Sequence, residues 1–216
     1  MNTSSLITFF SNQGVPQEAI LLILMLPIIA TFIAFLRQIV GIKAFGIYTP
    51  LIITFAFLAM EQLRYGIVIF VAVIISGLLM RFVLKPFRLL YLPRVAIMLS
   101  VVALIILCLL VFGGYFKRTG LAAVSVFPIL IMITFVEKFV AVQIEKGNRT
   151  AIVLALETLV ISLFGYYIAS WNILKDFILA YPWTIVLTLP INIFLGRWTG
   201  LRLSEYVRFR AILKKK

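Results

Sequence analysis

The stretch AILLILMLPIIATFIAFL, Ala19 to Leu36, runs for eighteen residues without a charge and stops at Arg37. As a helix it rises about 27 Å, close to the roughly 30 Å hydrocarbon layer of a bilayer. A helix apolar on every side finds no place on a water-soluble surface. Pro27 at its centre does not argue against a span, because neighbouring helices can satisfy the freed backbone groups.

Outward from this stretch the pattern repeats. Ala44 to Met60, Tyr65 to Met80, Val95 to Phe116 and Thr119 to Val136 are uncharged. Thr150 to Leu174 is interrupted only by Glu157, and Phe177 to Gly196 closes the series. The expectation is an all-α polytopic membrane protein with about seven transmembrane helices over residues 16–196. A short outer segment, residues 1–15, precedes it, and a basic tail, residues 197–216, follows as a helix lying on the inner surface. Residues 1–16 hold no Lys or Arg, and Leu6 to Phe10 is too short for a cleavable signal core. Insertion is therefore expected to begin with the first span.

Composition agrees: 64% of the 216 residues are hydrophobic and 12% charged, with a mean hydropathy of +1.18. Soluble domains carry about a quarter charged residues, so most of this chain has lipid as its solvent. The net charge of +13 would point to nucleic acid in a soluble protein. Here basic residues that hold cytoplasmic loops beside anionic lipid explain it without a nucleic-acid partner. With the N-terminus outside, sixteen of the 20 Lys and Arg fall on the inner side, and only Arg64, Lys117, Arg118 and Lys175 on the outer. The expected topology is N-out, C-in.

A basic residue followed by Gly and a branched aliphatic occurs three times: Arg37 with Gly41-Ile42, Arg118 with Gly120-Leu121, and Arg197 with Gly200-Leu201. The glycines are 79 and then 80 residues apart. Pro50 and Pro128 follow the first two at similar distance, and Ile53-Thr54-Phe55 recurs as Ile133-Thr134-Phe135. Three spans per copy would turn successive copies over, the plan of a 3+3 inverted repeat. Breaks in the second and fifth helices would then mark a passage or binding site, with Tyr48, Thr49, Pro50, Phe127 and Pro128 as candidates. Ordinary proline kinks are the alternative.

Glu157 lies deep in an apolar run with no basic neighbour at helical spacing. Its carboxyl is expected either to relay a proton or substrate or to make a hydrogen bond between helices. The chain has no His and a single Cys108, which removes the commonest general base and metal ligand, and any disulfide within the chain. No Walker loop, metal-ligand spacing or nucleophile elbow is present. No cofactor, metal or catalytic residue is expected, and the chain reads as a non-enzyme.

Three stretches carry a family resemblance: Arg37-Gln38-Ile39-Val40-Gly41-Ile42-Lys43-Ala44-Phe45-Gly46-Ile47-Tyr48-Thr49-Pro50, Tyr91-Leu92-Pro93-Arg94, and Gly196-Arg197-Trp198-Thr199-Gly200-Leu201-Arg202-Leu203-Ser204-Glu205-Tyr206. Together they resemble the seven-helix membrane region of bacterial proteins that carry an inactive transglutaminase-like domain. More distantly, the Gly-Ile…Pro arrangement is similar to the small membrane subunit of poly-γ-glutamate synthase. The resemblance implies the bacterial inner membrane, a separate cytoplasmic ATP-grasp ligase as partner, and an acidic, glutamate-rich peptide as product. Arg37, Lys43, Arg94, Arg197, Arg202 and Glu205 are the docking or loop candidates. The expected function is a non-catalytic membrane subunit that anchors such a ligase or passes its product. A self-contained transporter or channel for a small solute is the rival, and either leaves room for a homo-oligomer.

Overall fold

The computed structural model describes residues 9–10, 12–60, 62–84, 87, 90–115 and 126–198. Among these residues every regular element is helical. Helix α1, Gln17–Phe35, continues as a π-helical turn over Leu36–Val40. Then come α2 (Tyr48–Leu58), α3 (Leu63–Leu84), α4 (Tyr91–Tyr115), α5 (Val126–Lys146) and α6 (Asn148–Ser170). After them lie α7 (Asn172–Ala180), a 3-10 turn (Pro182–Leu187) and α8 (Thr188–Arg197).

Each of the seven apolar stretches carries a helix, but not every one is a plain crossing. The helices that begin at Gln17, Leu63, Tyr91, Val126 and Asn148 are long and apolar enough to span on their own. The second stretch is not. Helix α2 has only 11 residues, about 16 Å, because the chain before it is spent on turns. Gly41, Ala44 and Gly46 take φ of 90°, 27° and 79° there. Pro50 is the third residue of α2, where a backbone N–H has no intrahelical acceptor, so it opens this helix and does not interrupt it.

In the fifth stretch the described helix, Val126–Lys146, runs past the expected end at Val136 and is continuous across Pro128, Glu137 and Lys138. The interruption expected at Pro128 is absent from the described residues. Charge marked the expected boundary, yet the helix ends where the backbone turns left-handed, at Gly147 with φ 84°. The side chains of Glu137 and Lys138 lie exposed on the helix surface, where long polar side chains can reach toward headgroups. The seventh stretch is bent by 100° between α7 and the 3-10 turn. Tyr181 leaves the helical region with φ −129° and ψ 68°, the restriction that Pro182 imposes on the residue before it.

By contacts the chain divides into two compact units, Met1–Leu51 with Val160–Lys216, and Ile52–Leu159, and the divisions fall within α2 and α6. In the first unit α1 packs against α7, the 3-10 turn and α8. Met25, Ile29 and Ile33 are fully buried on α1, and their four-residue spacing makes one stripe. In the second unit α3, α4 and α5 pack on one another, with Phe70 stacked on Phe135 at a centroid distance of 5.1 Å. A Cβ at Gly66 would lie 2.5 Å from the Phe57 ring, and one at Gly77 2.9 Å from the Phe139 ring. Small residues that admit a neighbour closely are how helices cohere where lipid weakens the hydrophobic drive between them. Between 17% and 44% of each long span is buried inside the protein. The remaining apolar surface therefore has to face lipid.

Candidate functional site

The site begins where α1 stops being α-helical. Arg37 and Gln38 sit on the π-helical turn, and Gly41 closes it in the left-handed conformation. The Leu36 carbonyl accepts hydrogen bonds from both Gly41 N, at 3.0 Å, and Ile42 N, at 3.4 Å. The extra residue in that turn widens the backbone, a distortion found mostly at functional positions. Ala44 adds strain with its φ of 27°, in a region costing an L-residue about 1–2 kcal/mol.

This turn and the C-terminal part of α8 enclose a pocket of about 460 Å³. Arg37, Gln38, Lys43 and Asn192 supply its polar lining, and Ile42, Ile47 and Leu195 much of its apolar wall. All of these residues belong to the first compact unit. The Gln38 amide donates to the Trp198 carbonyl at 3.4 Å, a long bond that ties the turn to the end of α8. Arg37 is half-buried, and its Nε is buried with no hydrogen-bond partner among the described residues. A buried donor left without an acceptor costs about 1–3 kcal/mol, and more when it is charged.

Asn192 is fixed by a chain of hydrogen bonds. Its Nδ2 donates to Thr31 Oγ1 at 2.7 Å and to the Thr188 carbonyl at 2.8 Å. Thr31 Oγ1 in turn donates to the Pro27 carbonyl at 2.7 Å. A carbonyl can only accept, so the atom beside Thr188 O must be the amide nitrogen, which settles the orientation of the Asn192 side chain.

Of the residues singled out from sequence, the fold brings Arg37 and Lys43 together in this pocket. Arg197 is exposed at the end of α8, next to the lining residue Gly196. Arg202 and Glu205 lie outside the described residues. In the same unit Tyr48 is exposed, Thr49 half-buried and Pro50 buried. Phe127, Pro128, Glu157 and Arg94 belong to the other unit. There Phe127 is exposed, Pro128 buried, and Glu157 half-buried and not without a partner. Arg94 carries a second buried Nε without a hydrogen-bond partner among the described residues. Gln38, Asn192 and Thr31 were not singled out. The available signal was a carboxamide inside an apolar run, the kind of intramembrane polar residue that usually has work to do. Among the described residues no three His, Cys, Asp or Glu gather to hold a metal.

Long apolar helices with most of their surface turned outward make this a multi-pass α-helical membrane protein, here with a cationic pocket at the end of α1. Over residues 3–213 the chain matches the family of seven transmembrane helices usually fused to an inactive transglutaminase, and it belongs to that family. No curated protein and no solved structure matches it.

Proposed function

We propose that this chain is a non-catalytic subunit of the bacterial inner membrane that anchors a cytoplasmic ATP-grasp-type peptide ligase and takes up its glutamate-rich product. The observation that carries the reading is the pocket: two cationic side chains, Arg37 and Lys43, beside two carboxamides, with the Arg37 Nε buried and lacking an acceptor. A carboxylate carries the charge opposite to both cations and accepts hydrogen bonds from such groups. The excess of Lys and Arg supports a cytoplasmic position for the turn that bears Arg37 and Lys43, where such a product would be made. A family usually fused to an inactive transglutaminase is compatible with a role that is not catalytic.

The test is labelling of intact cells with radioactive glutamate, followed by separation of surface-bound from cytoplasmic acidic peptide. Deleting the gene should remove the surface-bound fraction. An Arg37→Ala/Lys43→Ala variant that still inserts should behave like the deletion. Unchanged surface material in both strains would sink the proposal. Uptake of a small acid by proteoliposomes holding the purified protein alone would favour the transporter reading instead.

A further inference from the structure

We infer that the outward face of α5 is the contact between two copies of this chain, closed by reciprocal pairs of Glu137 and Lys138. Helix α5 turns one side to its own unit: Met132, Phe135, Val136, Phe139, Val140 and Gln143 are buried, and it packs on α3 and α4. On the other side Leu130, Thr134, Glu137 and Ile144 are exposed and Ala141 is half-buried. These five follow one another at alternate spacings of four and three, the seam along which two helices pack side by side. Threonine and alanine in that seam are small enough to let two backbones approach closely.

The charges on this face select its occupant. Glu137 and Lys138 lie near the middle of the 21-residue helix, and Lys138 is still about 12 Å of helix from the end at Lys146. Of the five helices long and apolar enough to span alone, this one is the least apolar. Neither charge has an opposite one three or four residues away, and adjacent residues on a helix do not face each other. Neither side chain makes an ion pair among the described residues. Lipid makes charges inside a span costly, so they pair with one another or face water. A second copy supplies the pairing by symmetry. Copies inserted the same way run their α5 helices parallel, related by a two-fold axis along the membrane normal. In such packing a seam residue enters a hole formed by four residues of the facing helix, at the level of its own counterpart. Glu137 then lies against the partner's Lys138, and Lys138 against the partner's Glu137, so that one patch complements itself.

This contact is independent of what the pocket binds, and the full chain tests it. In a Cys108→Ala background, Thr134→Cys and Ala141→Cys should each give a disulfide-linked dimer on mild oxidation of native membranes. Wild type, whose Cys108 is exposed on α4, should give little. Equal cross-linking through Cys108 would mark random collision and overturn the inference. Energy transfer between labelled copies in liposomes should then respond to charge. Glu137→Lys alone, or Lys138→Glu alone, should raise the dimer dissociation constant about tenfold or more, because each sets like charges against each other. Glu137→Lys and Lys138→Glu in one chain should restore the wild-type value, which a misfolded protein would not do. Where a single reversal fails to insert, the two cysteine variants decide. A monomer at every protein-to-lipid ratio overturns the inference. Reaction of Thr134→Cys with a water-soluble maleimide would in that case show water on this face, and protection would show another segment or protein there.

Discussion

Ser162 on α6 donates a hydrogen bond to the carbonyl of Pro50 on α2 at 3.0 Å, in a fully buried setting. Its hydroxyl reaches across 112 residues of sequence to the proline that opens the 11-residue helix α2. A hydroxyl that leaves its own helix to bond a neighbour contributes about 1 kcal/mol. Ser162→Ala should lower the thermal midpoint in detergent by about 2–4 °C. An unchanged midpoint would mean that packing alone holds this contact.

The two glycines of α3 should respond differently to alanine. Overpacking costs about 1–3 kcal/mol, while replacing Gly by Ala inside a helix returns about 1 kcal/mol. At Gly66 the added Cβ meets the Phe57 ring at 2.5 Å, closer than at Gly77, where Phe139 stands at 2.9 Å. Gly66→Ala should therefore be net destabilising and Gly77→Ala nearly neutral. Denaturant titration of both variants checks the order, and a reversed order would show that the Phe57 ring moves aside freely.

The turn that builds the pocket gives a pair of opposite expectations. Ala44 holds a φ of 27° and Gly41 one of 90°. Ala44→Gly relieves about 1–2 kcal/mol of backbone strain against about 0.4–1 kcal/mol of added freedom in the unfolded chain, so it should be neutral to mildly stabilising. Gly41→Ala introduces that strain and should destabilise by about 1 kcal/mol or more. Thermal midpoints of the two variants, measured side by side, should move in opposite directions or differ clearly.

Orientation is open to a direct check. A phosphatase reporter fused after Lys117 should be active outside the membrane. A fluorescent reporter that matures only in the cytoplasm should light up after Lys216. An active phosphatase after Lys216 would invert the topology and remove the pocket from the side where a ligase works.

That each apolar run carries a helix was legible because an uncharged run of about 20 residues has only one economical solution in lipid. Their ends were less so. Charges mark ends only when they cannot reach water, and Glu137 and Lys138 sit exposed on the flank of a helix that runs on to Lys146. Glycine was the better sign: Gly41 and Gly147 both stop helices in the left-handed conformation. Half of the pocket's polar lining was readable as Arg37 and Lys43, which a basic loop announces. Asn192 was not, because an isolated carboxamide becomes informative only once Thr31, 161 residues away in the chain, is seen beside it.

The 100° bend at Tyr181 sets a length. Helix α7 leaves the line of the last crossing, so only the 3-10 turn and α8 remain, 6 and 10 residues. Together they reach about 27 Å, a few ångströms short of an average hydrocarbon layer. Trp171, Tyr181 and Trp183 are exposed around the bend, and such rings settle at headgroup level. The bilayer around this edge of the protein then has to thin to meet it, at a cost of fractions of a kcal/mol per ångström. The crossing that carries Asn192 is thereby tuned to membrane thickness, and short-chain lipids should suit it better than long-chain ones.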